Sequence, residues 1–289
     1  MHSNPQRLNL LPGIALIISS SLILGLRAQE LPVVDADTIS PHPFPAVTDN
    51  RSVYQPGESL SYTFQFGLIH AAQADISVTE VSPSQHGPSW EILVEGRTTG
   101  AFKWIFKVED VYRSTIDAAS GLPLHFHRDI HEGGYELRQD YAFDWTRNTV
   151  HSHRKKGDQD SVIATYLLPQ TSHDMVSALY ALRNVKWDQI QQGDTTGIPL
   201  FMDEEWFELK LVHQGIKPIK MDGKKYECIV IQPVIQTGRI WKKSNDLVVY
   251  VTNDSSHIPL YAETRILFGK IRMELTHAEG LRIPNSFGH

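Results

Sequence analysis

Two short patterns in this chain place imidazoles where they could act together: His125-x-His127 and His151-x-His153. A spacing of two puts both rings of each pair on one face of a strand, and His131 continues the first row. If the two strands were neighbours, the four imidazoles would offer the nitrogen set that zinc or copper takes. Polar residues alternating along a solvated strand give the same spacing. Arg128 and Arg138 stand beside them, and neither a helical H-x-x-x-H nor a cysteine pair accompanies them, so no metal is expected. Carboxylates cluster at Glu109-Asp110 and Asp203-Glu204-Glu205. A glycosidase needs two acids opposed across a cleft, which adjacent turn acids do not imply. His131-Glu132 begins like a zinc-protease helix, but Gly133-Gly134 and the missing second histidine end that likeness. The sequence has no G-x-S-x-G elbow, phosphate-cradling glycine loop or dinucleotide fingerprint. Accordingly no catalytic residue and no cofactor is assigned. The sole cysteine, Cys228, cannot form an internal disulfide, and in Tyr226-Glu-Cys-Ile-Val-Ile231 it reads as a small buried hydrophobe.

Aromatic residues form two further rows. Tyr62, Phe64 and Phe66 share one face of a strand, and Phe102, Trp104 and Phe106 share one face of a second strand over 101–114. The chain has one convincing helix, Thr171 to Arg183. There Met175, Leu179 and Leu182 recur at i, i+4 and i+7 and predict one apolar flank, with Thr171 or Ser172 as cap. Asp174 and Arg183 sit where the helix dipole favours an anion and a cation. A lone helix among strands plugs or lids a curved sheet. The expected lining of an apolar cavity between them is therefore Tyr62, Phe64, Phe66, Trp104, Phe106, Met175, Leu179 and Leu182.

Elsewhere the period is two, starting with Leu60, Tyr62, Phe64 and Phe66, and continuing through Ala72, Ala74, Ile76 and Val78. Turn signals such as His86-Gly87-Pro88, Gly133-Gly134, Lys156-Gly157-Asp158 and Met221-Asp222-Gly223 separate the strands. His153-Arg154-Lys155-Lys156 reads as a hairpin tip, and 187–199 as a polar connection. Short links favour a meander. The fold expected is mainly β: a strongly curved antiparallel sheet or half-open barrel, with the short helix on its concave side.

The first 28 residues have the form of a secretory leader: Arg7, an apolar run from Leu10 to Leu26, and Ala28 at the cut. Residues 29–52 are an aperiodic linker rich in Pro, Asp, Thr and Ser, 53–284 a single β-rich domain, and 285–289 a frayed tail. The net charge of −6 becomes more negative once Arg7 and Arg27 leave with the leader. An acidic chain without a basic cluster is a poor partner for nucleic acid or anionic lipid. An exported protein is expected, periplasmic or secreted, from a Gram-negative bacterium, with no integral membrane span after leader cleavage.

The order of several short motifs resembles the bacterial family known as domain of unknown function 3108. They are Tyr54-x-Pro-Gly-Glu58-x-Leu60-x-Tyr62, Val108-x-Asp110-x-Tyr112, Asp117 with Leu122-Pro123, Ile130-x-Glu132-Gly133-Gly134 and Phe143-Asp144. The helix Asp174-x-x-Ser177-Ala178-Leu179-Tyr180-x-Leu182-Arg183 follows, then Cys228-Ile-x-x-x-Pro233-x-x-x-x-Gly238. Val249-x-Val251-Thr252-Asn253-Asp254, Ile258-Pro259 and Gly269-x-Ile271-x-x-Glu274-Leu275 complete it, with Asn253 where the family tends to have Asp. The resemblance implies an exported, mostly β protein and no activity. The function expected is non-enzymatic binding of an apolar ligand or cell-envelope component. The alternatives are a structural, partner-binding envelope protein or, third, a hydrolase of envelope polymers.

Overall fold

The structure, a computed structural model, describes residues 52–84, 87–234, 247–266 and 269–283. The leader, nearly all of the linker and the tail lie outside the described residues. Eight strands come first: β1 (Ser59–Phe66), β2 (Ile69–Ser84), β3 (Gly87–Thr98), β4 (Val108–Asp117), β5 (Pro123–Glu132), β6 (Tyr135–Asp144), β7 (Thr149–Lys156) and β8 (Val162–Leu167). A four-residue helix, α1 (Phe102–Ile105), interrupts them between β3 and β4. Helix α2 (Met175–Arg183) and a 3-10 turn (Trp187–Gln189) lead to the second set. That set is β9 (Thr195–Met202), β10 (Glu205–Met221), β11 (Lys224–Val234), β12 (Leu247–Thr252), β13 (Pro259–Ile266) and β14 (Gly269–Glu279).

All fourteen strands form one antiparallel sheet in the order β8-β7-β6-β5-β4-β3-β2-β1-β14-β13-β12-β11-β10-β9. Two meanders are thus sewn together by the single non-consecutive pair, β1 with β14. Among the described residues no ladder joins β8 to β9, which stand at opposite ends of the strand order, so the sheet is not closed. It nonetheless curls strongly. On a flat sheet β6 and β9 would lie about 50 Å apart at the usual strand spacing. Yet the rings of Tyr141 on β6 and Phe201 on β9 are 5.1 Å apart. The edge hairpin β9–β10 is tucked inside the curl of the opposite wing.

Alternation decides which residues fill that curl. On β1, Leu60, Tyr62 and Phe64 are buried while their neighbours are only half-buried. Tyr62 faces Ala74 and Phe64 faces Ala72 in register, so bulk on one strand meets small residues on the next. These join Leu260, Ile271, Met273 and Leu275 in one core cluster. A second cluster runs across β2 to β7 and includes Val176 and Tyr180 of α2, which places the helix on the concave side.

Three local expectations change. Residues 101–114 are not one strand: α1 comes first and β4 starts at Val108. Phe102, Trp104 and Phe106 therefore do not share a face; Phe102 is buried, Trp104 is exposed, and Phe106 lies against Gly133. At φ +52 in the β5–β6 turn, Gly133 has no Cβ to collide with that ring. The stretch 187–199 is not merely a polar connection. It holds Trp187, buried and donating its indole N–H to Leu182 O at 3.2 Å, and the start of β9.

The helix is also rotated from its expected orientation. Val176, Ser177, Ala178, Tyr180, Ala181 and Arg183 are its buried residues, whereas Leu179 is 51% exposed. Met175 and Leu182 are half-buried at the margins of neighbouring clusters. The apolar-flank reading failed because Tyr180 and Arg183 count as polar in a periodicity, yet the fold supplies both with partners. Ala178 and Ala181 meet Ile198 and Leu200 of β9, small residues there permitting close approach. The cap is Asp174, not Thr171 or Ser172. Its Oδ1 accepts the N–H groups of Val176 and Ser177 at 2.8 Å each, and Ser177 Oγ accepts the Asp174 N–H at 3.0 Å.

Candidate functional site

Strands β3 to β8 carry different chemistry on their two faces. Outward, the register lines up two rows of side chains across the sheet. One row runs Glu91, Thr115, His125, Ala142, His151, Thr165. The other runs Leu93, Arg113, His127, Asp140, His153, Ile163. The two His-x-His pairs thus share a face, with one strand between them. That middle strand carries Ala142 between His125 and His151, and the missing bulk there leaves a hollow. An open groove of about 450 Å³ follows, lined by Glu91, Arg113, Thr115, the four histidines, Asp140, Ala142 and Ile163.

Within the groove, His127 Nδ1 lies 2.6 Å from Asp140 Oδ1 and His151 Nδ1 lies 2.8 Å from Thr165 Oγ1. Each contact fixes one ring nitrogen and leaves Nε2 to meet a ligand. His125 and His151 stand two strands apart, about 10 Å, which is too wide for direct coordination of one ion without large leaning. Among the described residues, no three His, Cys, Asp or Glu side chains are placed to hold a metal ion. His127 and Asp140 resemble the base and orienting acid of a hydrolytic triad, but the serine of the groove lining, Ser152, turns its Oγ inward and donates to Glu204 at 3.1 Å. Ser152 is itself buried. What the groove offers is a mixed set of donors and acceptors.

Inward, the same strands present polar groups to the tucked hairpin. Asp203 and Glu204 form its tip, both with positive φ (54° and 61°). Asp203 pairs with the fully buried Arg128, and Glu204 accepts from Gln139 and, at 3.1 Å, from Ser152 Oγ. Arg154 lies 3.6 Å from the second Glu204 oxygen. These acids anchor the hairpin to the wing. Further along the interior, Asp110 and Glu132 are both buried. Burial, then the Glu132 carboxylate, push Asp110 up to about 8, although the His131 N–H donates to its Oδ1 at 3.0 Å. Asp174 is pushed up to about 6 by burial, opposed by Ser114, whose Oγ donates to it at 2.6 Å. Cys228 is buried and its thiol is pushed up to about 12 by burial, the inert setting expected of a packing residue.

The residues expected to line an apolar cavity are dispersed. Tyr62 and Phe64 are packed in the core, and Phe66 meets Phe102 edge-on at 6.1 Å. Phe106 covers Gly133, while Trp104 and Leu179 face solvent. Met175 and Leu182 flank the helix on two different clusters. The groove partners Glu91, Arg113, Thr115, Asp140 and Ala142 had no signal in the sequence beyond strand alternation, because only register brings them together.

Among the described residues no helix is long and apolar enough to cross a membrane. No curated protein matches the chain. Among solved structures it is similar to a β-barrel-like protein of the domain of unknown function DUF1849 from Brucella abortus, with 9% identity and a TM-score of 0.47 over 79% of this chain and 98% of that one. It is also similar to the hypothetical protein CT021 from Chlamydia trachomatis, with 7% identity and a TM-score of 0.30 over 81% and 92% of the two chains. The profile of the family described as protein of unknown function, DUF3108, matches residues 61–276, spanning β1 to β14. The chain belongs to that family.

Proposed function

We propose that this is an exported, non-catalytic binding protein that holds a polar component of the cell envelope, of saccharide-like chemistry, in the histidine-lined groove. The observation that carries this reading is the two-row register, which sets four imidazoles, Arg113, Thr115 and Asp140 around the hollow at Ala142. Its volume of about 450 Å³ is in the range of small-molecule sites, and its lining offers the mixed donors and acceptors that hydroxyl-rich ligands need. An apolar ligand has less support: the aromatic side chains of β1 pack against the chain's own residues. To test the reading, titrate the mature protein with soluble peptidoglycan fragments and core oligosaccharides, following the histidine NMR resonances. One class is expected to bind the wild type and to lose binding in His125→Ala/His151→Ala at unchanged melting temperature. No binding of any class, or equal binding to the variant, would refute it.

One observation favours a second reading, docking of a protein partner. Strand β8 is a sheet edge on which Val162, Ile163 and Leu167 are 60%, 78% and 80% exposed. A partner strand added there would cover them and extend the ladder. Crosslinking from position 163 in cells, returning a protein partner, would support this second reading.

A further inference from the structure

The end of the sheet where β1 turns into β2 holds a second feature, unrelated to the groove. Two connections protrude there: the β1–β2 turn with Leu68 and Ile69, and α1 with Trp104 and Ile105. Their exposures are 93%, 54%, 92% and 66%. Single exposed apolar residues are ordinary, but four large ones on adjoining tips form a patch. The tips are held side by side rather than splayed. Phe66 and Phe102 pack edge-on beneath them at 6.1 Å, and the Thr99 N–H donates to Ala71 O at 2.9 Å. On the other side, Arg272 donates to Gly67 O and the Gly67 N–H reaches Lys270 O at 3.3 Å. Thus Trp104 and Leu68 are presented outward on a braced platform.

The charge around the patch differs in sign from that of the chain. Lys103 and Lys107 flank Trp104 and Ile105, and Lys270 and Arg272 lie behind the neighbouring turn. Of the carboxylates there, Glu109 meets Lys107 at 2.7 Å and Glu263 meets Lys270 at 2.9 Å. Lys103, Lys107, Lys270 and Arg272 outnumber the acids Glu109, Glu132 and Glu263 at these strand ends, in a protein whose net charge is −6. A protruding apolar tip with a tryptophan and lysine collar suits a soft interface, in which an indole sits at headgroup depth and ammonium groups meet phosphates. It suits a concave protein groove less, because the collar would have to be desolvated.

We propose that this end of the sheet docks on a phospholipid bilayer surface, inserting Trp104, Leu68, Ile69 and Ile105 to headgroup depth with Lys103 and Lys107 against lipid phosphates. The docking orients the molecule and does not span the membrane. Since the rest of the chain is acidic, attraction is local and operates within a Debye length, about 8 Å at physiological salt.

The test is co-sedimentation of the mature chain with mixed phosphatidylethanolamine and phosphatidylglycerol vesicles, paired with quenching of tryptophan fluorescence by bilayers carrying bromine on the acyl chains. The wild type is expected to partition onto vesicles and be quenched. Trp104→Phe is expected to bind but lose most of the quenching. Leu68→Ser/Trp104→Ser is expected to partition about tenfold more weakly, and Lys103→Gln/Lys107→Gln to lose the salt dependence, both at unchanged melting temperature. Absence of vesicle uptake by the wild type would overturn the proposal, as would equal uptake by the serine variant. Capture of a protein at position 104 without vesicle uptake would overturn it too.

Discussion

Arg183 at the end of α2 and Glu58 just before β1 are 125 residues apart in sequence and meet as a two-pronged ion pair in the interior, Nη1 to Oε1 and Nη2 to Oε2 at 3.0 Å. Both side chains are essentially excluded from solvent, 4% and 0% exposed. The guanidinium also donates from Nε to Ser256 O at 3.1 Å and lies over the rings of Tyr54 and Tyr180 at 5.7 and 5.1 Å. One side chain thus ties the helix to the start of β1 and to the β12–β13 turn. Removing one partner leaves a buried charge uncompensated. Glu58→Gln is expected to cost about 3–5 kcal/mol in urea unfolding, and Glu58→Leu/Arg183→Met markedly less than the sum of the single changes.

The orientation of α2 can be tested by contrast within one turn. Leu179→Gln should change stability by no more than about 0.5 kcal/mol, since its side chain already faces water. Tyr180→Ala removes a buried ring stacked edge-on against Tyr54 at 4.6 Å, and should cost about 3–5 kcal/mol. Denaturant midpoints measured side by side would detect the reverse order, which the apolar-flank reading requires.

Asp110 gives the fold a pH dependence of definite sign. Its carboxyl titrates near 8 in the folded chain against 3.8 for an ordinary aspartate. Across that window the folded state holds a proton that the unfolded state has lost. Stability from this group is therefore complete below the lower value and falls as pH rises through the upper one. Melting curves of the wild type and Asp110→Asn from pH 4 to 8 should diverge progressively, with the variant showing the shallower decline.

The tucked hairpin depends on its acidic tip. Asp203→Ala removes a carboxylate partner of the fully buried Arg128 and is expected to cost about 3 kcal/mol. In the β10–β11 turn, Asp222 also has positive φ, 49°, and forms no ion pair among the described residues. Asp222→Gly should be neutral or slightly stabilising, since glycine adopts that backbone freely. Chemical denaturation of both variants separates anchoring from turn strain.

Sequence alone determined the elements that rest on local periodicity and turn chemistry. Alternation along Leu60 to Phe66 and glycine turns such as Gly133-Gly134 are properties of consecutive residues, so the antiparallel meander and its hairpins could be read directly. Family membership was similarly available, because the ordered motifs include interior residues such as Glu58, Asp110, Tyr180 and Arg183 that the packing uses. Tertiary structure decided everything that depends on register and curl. Whether His125 and His151 would share a groove turned on β6 lying between their strands, and whether Ala142 would face the same way. The buried face of α2 turned on Glu58 and Tyr54 arriving from far away to satisfy Arg183 and Tyr180, which no helical period records. The break at Phe102–Ile105 was likewise invisible to alternation, for Phe102 turns into the core while Trp104 faces solvent and the aromatic stripe does not stay on one face.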